Sequence, residues 1–366
     1  MKKEHGRISI ISRESDERTL DIALLEAELL KRGHDVKVLC KLLKKDSKLK
    51  ALAYTGYVAK QEFAILRSDV VVLDTYCIPA SMIPHRRGTK VVQMWHALSA
   101  LKKFGWQTVG KEGGSSERVA KLMRMHRGYD YVVCPSDITA SYFKEAFKVD
   151  ESKMVKLGLP RIDYIKSVAG GSRKEDTLAR IYHAYPDLQS SKKTILYAPT
   201  FRSNKDFDVQ GLIDSIDTSK YHLVVKMHPL YRKDAFEQAG MESKSYGSFR
   251  KGVIFDDNFT SFDWLAAADM VVSDYSSFVV ESSLTDKPLY IYAPDMEDYI
   301  ENTGLNMDFT KEPIAPYVFE DAGALAKSID DEEYDFDALR AFRDRYIDID
   351  TSNCTAALAD FIETLL

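Results

Sequence analysis

Short apolar runs rich in β-branched residues alternate with stretches of helical periodicity along the chain. The run Arg7–Ser12 (RISIIS) and those like it have apolar residues on both faces, as strands buried in a parallel sheet do. A helical stretch at about 16–32 follows it and ends at Gly33, which suits a C-cap. Strand and helix in repetition predict an α/β sheet with right-handed crossovers. The first set of predicted strands covers 7–12, 34–40, 69–74, 89–95 and 130–134.

The alternation is interrupted between 166 and 193, where Gly170-Gly171-Ser172, a polar helix and Pro186 occur. A second set of predicted strands follows, at 193–199, 222–229, 252–257, 269–274 and 288–294, and the chain ends in a helical stretch, 334–366. We therefore predict two Rossmann-like domains that face each other across a cleft. The N-terminal domain covers 1–165, a linker region covers 166–192, and the C-terminal domain covers 193–366, including the C-terminal helix.

Composition narrows the classes of function. The 366 residues are 45% hydrophobic and 29% charged, an ordinary globular mixture. The sequence has neither an apolar run long enough to span a bilayer nor an N-terminal apolar stretch like that of a signal peptide, which predicts a cytoplasmic location. The net charge of −5 disfavours a nucleic-acid partner. The four cysteines are far apart, so we expect no disulfide framework and no zinc site.

Several common signatures are missing from the sequence. No GxGxxG follows the first predicted strand, and GxxxxGK[ST], HExxH and GxSxG do not occur. These absences disfavour nicotinamide or flavin enzymes, P-loop NTPases, zincins and standard α/β-hydrolases. In doubly wound sheets ligands bind beyond the carboxyl ends of the strands, so functional residues are expected at those ends.

One strand end combines polar residues with a predicted helix start, within 269–292 (DMVVSDYSSFVVESSLTDKPLYIY). Ser276 and Ser277 stand where the helix begins, and a helix N-terminus with hydroxyl groups suits a phosphate. Glu281 lies about one turn further on, where a carboxylate could accept hydrogen bonds from ribose hydroxyls. A well-capped helix without a ligand explains the same residues, so both interpretations stay open.

Three further strand ends carry candidate chemistry. His96 follows a buried strand, and a histidine can accept a proton from a hydroxyl group near neutral pH, although a packed histidine is the alternative. Lys226 and His228, in KMHP, are two residues apart and therefore point to one side of a strand, as a diphosphate site would need. The segment YAPTFR ends in Thr200 and Arg202.

These segments together resemble a known family. QMWHALSALKKFG, YAPTFR, KMHP and SDYSSFVVE…DKPLYIYAPDMEDY are similar in order and spacing to the CDP-glycerol glycerophosphotransferase family, over about Val91 to Phe309. The family builds teichoic acids and related polyol-phosphate polymers. The resemblance implies a GT-B fold, with an N-terminal domain that faces the acceptor and a C-terminal domain that holds a CDP-alcohol.

The implied reaction moves glycerol phosphate or ribitol phosphate from CDP-glycerol or CDP-ribitol to a hydroxyl group of a lipid-linked acceptor, with release of CMP. A GT-B glycosyltransferase that uses a nucleotide sugar is the alternative. A third hypothesis is a catalytically silent protein that binds a nucleotide or scaffolds a polymer-synthesis complex. We expect no obligatory cofactor and no metal site. A loosely bound Mg²⁺ and a homo-oligomer stay open.

The resemblance also assigns roles to residues. His96 would be the general base, and His228 would contact the transferred phosphate or diphosphate. Ser276 and Ser277 would hold the diphosphate. The other residues expected to bind the CDP-alcohol are Thr200, Arg202 and Lys226, with Glu281 on the cytidine ribose. The family motif reads WHG, whereas Ala97 follows His96 here. The added methyl group restricts the backbone, which bears on the choice of acceptor more than on the chemistry.

Lipid-linked acceptors imply contact with a membrane, and two basic segments suit an anionic surface. The segment 41–60 has six lysines and one aspartate, and Ser99–Gly128 has seven Lys or Arg and two Glu, so each carries +5. Solvated helix faces are the alternative. Within 115–128 we predict a helix capped by Ser115 or Ser116, with a basic face and two apolar residues beside it: Arg118, Lys121 and Arg124, with Leu122 and Met125. The expected location is peripheral, on the inner face of the cell membrane.

Overall fold

The computed structural model describes residues 6–42, 48–86, 88–111, 114–200, 209–227 and 252–366, with the backbone alone for 48–55. The chain divides into two compact units. One consists of Met1–Asp163 and Arg345–Leu366, and the other of Tyr164–Asp344.

The first unit contains a six-stranded parallel sheet in the order β2-β1-β3-β4-β5-β6. All four residues of its third strand are buried, which explains why the run is apolar at successive positions. The strands are β1 Arg7–Ser12, β2 Asp35–Cys40, β3 Val70–Leu73, β4 Lys90–Gln93, β5 Tyr131–Cys134 and β6 Met154–Lys156. The described helices before the division are α1 Leu20–Lys31, α2 Lys48–Leu66, α3 Ile78–Met82, α4 Glu117–Leu122 and α5 Asp137–Phe147, with 3-10 turns at Gly105–Thr108 and Glu151–Lys153. Helix α6, Arg161–Ala169, spans the division.

The second unit repeats this plan with a parallel sheet in the order β12-β11-β10-β7-β8-β9. Its strands are β7 Lys193–Tyr197, β8 Tyr221–Val225, β9 Val253–Phe255, β10 Met270–Ser273, β11 Leu289–Tyr292 and β12 Val318–Phe319. Its described helices are α7 Lys174–Ala184, α8 Val209–Ser215, α9 Ser261–Trp264, α10 Phe278–Ser282, α11 Met296–Asn302 and α12 Ala322–Asp330, and α13 Phe336–Tyr346 spans the second division. Its described 3-10 turns lie at Pro186–Gln189, Ser283–Thr285, Phe309–Lys311 and Ala315–Tyr317.

The C-terminal helix differs from its predicted place. Helix α14, Cys354–Thr364, belongs to the first unit and not to the second domain. Arg32 at the end of α1 pairs with Asp360 at 2.6 Å and with Glu363 at 3.0 Å. The Asp163 carboxylate accepts the main-chain N–H groups of Cys354 and Thr355 at 2.8 and 2.7 Å, which satisfies donors at the start of α14. These contacts join residues more than 190 positions apart, which local sequence patterns do not encode.

The predicted linker 166–192 is also different, since it forms the end of α6, all of α7 and a 3-10 turn within the second unit. Its polar surface and glycines indicated a boundary, and the structure places the division a few residues earlier, after Asp163. Among the described residues, no helix combines the length and the apolar character that crossing a bilayer requires.

Candidate functional site

The turn after β4 holds Trp95 in a left-handed conformation, with φ of 60°. A non-glycine residue adopts this conformation at a cost, so surrounding contacts must impose it. Gln93, fully buried at the end of β4, accepts the main-chain N–H of Trp95 at 2.9 Å. The indole stacks on Phe104 at 4.5 Å between ring centres. These contacts fix the backbone immediately before His96.

The imidazole of His96 is half-buried, and a main-chain carbonyl group just after β3 orients it. Its Nδ1 lies 3.0 Å from the carbonyl oxygen of Asp74, the residue that follows β3. A carbonyl oxygen only accepts hydrogen bonds, so Nδ1 carries the proton. In the neutral imidazole Nε2 then bears the lone pair, and this is the atom that a general base uses.

A buried ion pair holds the carbonyl oxygen of His96. Arg161 Nη2 donates to that oxygen at 2.7 Å, and its Nε donates to Asp21 at 2.8 Å. The main-chain N–H of Arg161 also donates to Asp21, at 2.7 Å. Asp21 is 1% exposed and Arg161 is 9% exposed. Sequence reasoning missed both residues, because nothing local marks a pair separated by 140 positions.

Ala97, which departs from the family motif, fits its place without strain. It is buried and is not among the residues with positive φ, so its backbone conformation does not require glycine. The restriction that its methyl group imposes therefore leaves the turn at His96 intact.

In the second unit, one carboxylate joins two of the predicted strand ends. Asp274, fully buried after β10, accepts the main-chain N–H of Thr200 with both oxygens, at 2.9 and 3.0 Å. Ser273 Oγ donates to the carbonyl oxygen of Ala198 at 2.9 Å. The structure thus brings Thr200 beside the turn that carries Ser276. The sequence analysis placed Asp274 at the end of this strand, but it did not predict that the carboxylate of Asp274 bonds to Thr200.

The predicted phosphate turn is compact. Ser276 Oγ accepts the main-chain N–H of Phe278 at 3.2 Å, and Ser277 precedes α10 without capping it through its side chain. Both serines are half-buried, whereas Glu281 is only 2% exposed. Helix α10 is five residues long. The roles of these three residues toward a donor substrate stay predictions.

Lys226, after β8, already has a protein partner. Its Nζ donates to the main-chain oxygen of Asp256 at 3.0 Å and pairs with the carboxylate at 3.3 Å. Burial alone would raise the pKa of Asp256, but hydrogen bonds from Tyr185, Trp264 and the main chain hold it below its usual value.

His228 and Arg202 lie outside the described residues, so their predicted roles are not located. Within the described ranges, no group of three or more His, Cys, Asp or Glu side chains is arranged to hold a metal ion.

The sequence model of the CDP-glycerol:poly(glycerophosphate) glycerophosphotransferase family matches residues 1–364. The chain belongs to this family. The teichoic acid ribitol-phosphate primase of Bacillus spizizenii is 30% identical over 325 residues, which are 86% of this chain and 79% of that protein. The teichoic acid glycerol-phosphate primase of Bacillus subtilis is 29% identical over 317 residues, 85% and 77% of the two chains.

Solved structures agree with the predicted architecture of this glycerophosphotransferase family member. The wall teichoic acid polymerase TagF superposes with a TM-score of 0.68 at 20% identity, over 98% of this chain and 88% of that one. UDP-GlcNAc 2-epimerase from Neisseria meningitidis gives a TM-score of 0.61 at 13% identity, over 98% and 99% of the two chains. With two parallel six-stranded sheets, these likenesses confirm the predicted GT-B fold.

Proposed function

We propose that this protein transfers a glycerol-phosphate or ribitol-phosphate unit from a CDP-alcohol to a hydroxyl group of a lipid-linked acceptor, with release of CMP, in the synthesis of teichoic acid or a related cell-surface polymer. The family match over 1–364 supports the reaction class, and primases for both polyols are among the relatives. The observation that carries the mechanism is the hydrogen bond from His96 Nδ1 to Asp74, which leaves Nε2 able to accept a proton.

In the proposed reaction, His96 Nε2 takes the proton of the acceptor hydroxyl as its oxygen attacks the β-phosphorus of the CDP-alcohol. One P–O bond forms to the acceptor, and the P–O bond to CMP breaks with its electron pair leaving on CMP. The proton passes from His96 to solvent or to the released CMP. Hydrogen-bond donors would stabilise the charge on the diphosphate, from Ser276, Ser277, Lys226 and His228, with Arg202 as a charge partner. Thr200 would help to shape this site, and Glu281 would bind the ribose.

Contact with an anionic membrane surface is part of the proposal, and α4 supports it. Val119 is 48% exposed and Leu122 is 68% exposed, beside the exposed cations Arg118 and Lys121. Apolar residues next to cations suit the boundary between head groups and acyl chains.

The prediction of one long helix over 115–128 was wrong, although Ser116 caps α4 as expected, since its side chain accepts the main-chain N–H of Val119.

The helix ends at Leu122 because Arg124 turns left-handed, with φ of 46°, and the main-chain N–H of Met125 bonds back to Ala120. Arg124 is therefore off the helical face of Arg118 and Lys121. The other basic segment, 41–60, lies in part outside the described residues.

The test is release of CMP from CDP-glycerol and CDP-ribitol with lipid-linked acceptors, with UDP-sugars assayed in parallel. His96→Ala should lower kcat by about 10²–10⁴-fold, the usual range for loss of a general base, with little change in the Kd of the CDP-alcohol. His183→Ala, at an exposed position on α7, is the matched control and should keep parental activity. Turnover of a UDP-sugar without turnover of either CDP-alcohol would contradict the proposal and favour a glycosyltransferase.

A further inference from the structure

A cavity of about 540 Å³ lies beside the segment that follows α4 in the first unit. Its volume falls within the range of about 300–1,000 Å³ that is typical of small-molecule sites, and exceeds what a single ion needs. The carboxylate of Asp150 is the one acidic group in its lining. Five cationic residues line it: Lys121, Arg124, Arg127, Lys148 and Lys153.

Most of this positive charge is not held in an ion pair, although Asp150 lies near Lys153 and Glu117 lies near Lys148. Lys121 pairs with Glu117 at 2.7 Å, but both side chains are 67% exposed, and such surface pairs contribute little. In the part of the chain that the structure describes, the other four cations form no ion pair with a carboxylate: Arg124, Arg127, Lys148 and Lys153. A concave surface with this excess of positive charge attracts anions.

The floor of the cavity is neutral and held in place. His126 is 4% exposed, and burial lowers its pKa to about 3, so it is uncharged at neutral pH. Its ring packs against Phe147 at 4.7 Å. Trp106 Nε1 donates to the main-chain oxygen of Met125 at 2.9 Å. Lys148 Nζ lies 3.7 Å from the centre of the Trp106 ring, so a cation–π contact fixes this ammonium group at the cavity.

We propose that this cavity binds a ligand with two or more phosphate groups, either a diphosphate or a short polyol-phosphate chain. Each phosphate presents strongly accepting oxygens that match arginine forks and lysine ammonium groups. The volume accommodates several such groups together. The inference rests on the proposed function for the ligand's identity, because a polyol-phosphate acceptor and the diphosphate head group of a lipid-linked acceptor both carry this chemistry.

The experiment measures binding to the full chain by calorimetry in about 0.15 M salt, without any CDP-alcohol. The probes are inorganic diphosphate, a soluble glycerol-phosphate oligomer, and vesicles with or without a lipid diphosphate. The Arg127→Gln/Lys148→Gln variant should bind the accepted probe about 10-fold or more weakly than the parent, since two charge-assisted contacts are lost. Lys37→Gln/Arg67→Gln removes the same charge from exposed positions outside both the lining and the basic segments, and should stay within about twofold of the parent.

If the parent binds a soluble probe and the Arg127→Gln/Lys148→Gln variant binds it more weakly, the cavity is assigned to soluble phosphate chains or diphosphate. If this difference is seen with the lipid-diphosphate vesicles alone, the cavity is assigned to the lipid head group. Absence of binding by the parent, or equal binding by the parent and the Arg127/Lys148 variant, overturns the proposal. If that variant does not fold, as judged by thermal unfolding, Arg127→Gln alone is used. Release of CMP is assayed separately, so failure of the proposed function does not alter this result.

Discussion

Replacement of Asp21 by alanine should destabilise the protein by about 3–5 kcal/mol, the usual effect of removing one partner from a buried ion pair. The Asp21 carboxylate accepts the main-chain N–H of Arg161 at 2.7 Å and its Nε at 2.8 Å. Both residues are at least nine-tenths buried, so Asp21→Ala leaves a guanidinium group away from water without a counter-charge. The free energy of unfolding in urea measures this loss.

A paired replacement separates stability from catalysis. Asp21→Leu/Arg161→Met removes both buried charges together, so stability should return to within about 2 kcal/mol of the parent. The carbonyl oxygen of His96 nevertheless loses the donor that lies 2.7 Å away in the parent. Because a displacement of about 1 Å can slow catalysis about 100-fold, we expect kcat for CMP release to fall by about 10–100-fold while the variant stays folded.

Two results would refute this reasoning. A paired variant with parental kcat would show that Arg161 does not position His96. A loss below about 1 kcal/mol in Asp21→Ala would show that the ion pair behaves as an exposed one. Arg86→Met is the matched control, because it breaks an exposed ion pair with Asp69 (59% and 42% exposed side chains). That control should change stability by less than about 1 kcal/mol and leave kcat unchanged.

Three other perturbations have defined outcomes. Ser276→Ala/Ser277→Ala should weaken binding of the CDP-alcohol by about 10-fold or more, and an unchanged Kd in calorimetry would leave the turn a plain helix start. Burial raises the pKa of Asp74 to about 7, above the value of about 3.9 in an unfolded chain, so native stability should fall as pH rises between these values. Asp74→Asn should flatten that dependence in urea titrations at several pH values. Val119→Ser/Leu122→Ser should reduce sedimentation with anionic liposomes, with activity on a soluble acceptor unchanged; equal sedimentation would exclude α4 as a membrane contact.

Several strands were predictable almost to the residue because they are buried on both faces, whereas the predictions at 89–95 and 222–229 run past the ends of β4 at Gln93 and of β8 at Val225. Residues 7–12 match β1, and the predictions at 69–74 and 269–274 each exceed the observed strand by one residue at either end. Two of the four edge strands of the described sheets were missed, since Met154–Lys156 and Val318–Phe319 are three and two residues long and only partly buried. Such strands lack a long apolar run, so only pairing with a neighbour defines them.

The candidate site was predictable as a set of strand ends but not as a set of contacts. His96 and Thr200 occur where the sequence pattern places them, whereas the groups that hold them come from distant positions. Asp74 acts through its main-chain oxygen, which any residue type could provide, and Asp274 reaches Thr200 across 74 positions. A local pattern carries no information on contacts of this kind, and the ion pair of Asp21 with Arg161 is the extreme case.

The surroundings of Lys226 bear on how a diphosphate could be held in the second unit. The Asp256 carboxylate already accepts the Trp264 Nε1–H at 2.8 Å and the Tyr185 hydroxyl at 2.6 Å, so neutral donors provide much of its stabilisation. Lys226 Nζ directs two contacts at Asp256, and an ammonium group has three protons, so one N–H can still meet a phosphate oxygen. Its charge, however, is largely balanced by the carboxylate. We therefore expect Lys226 to contribute a fixed hydrogen-bond donor to a diphosphate and little net positive charge.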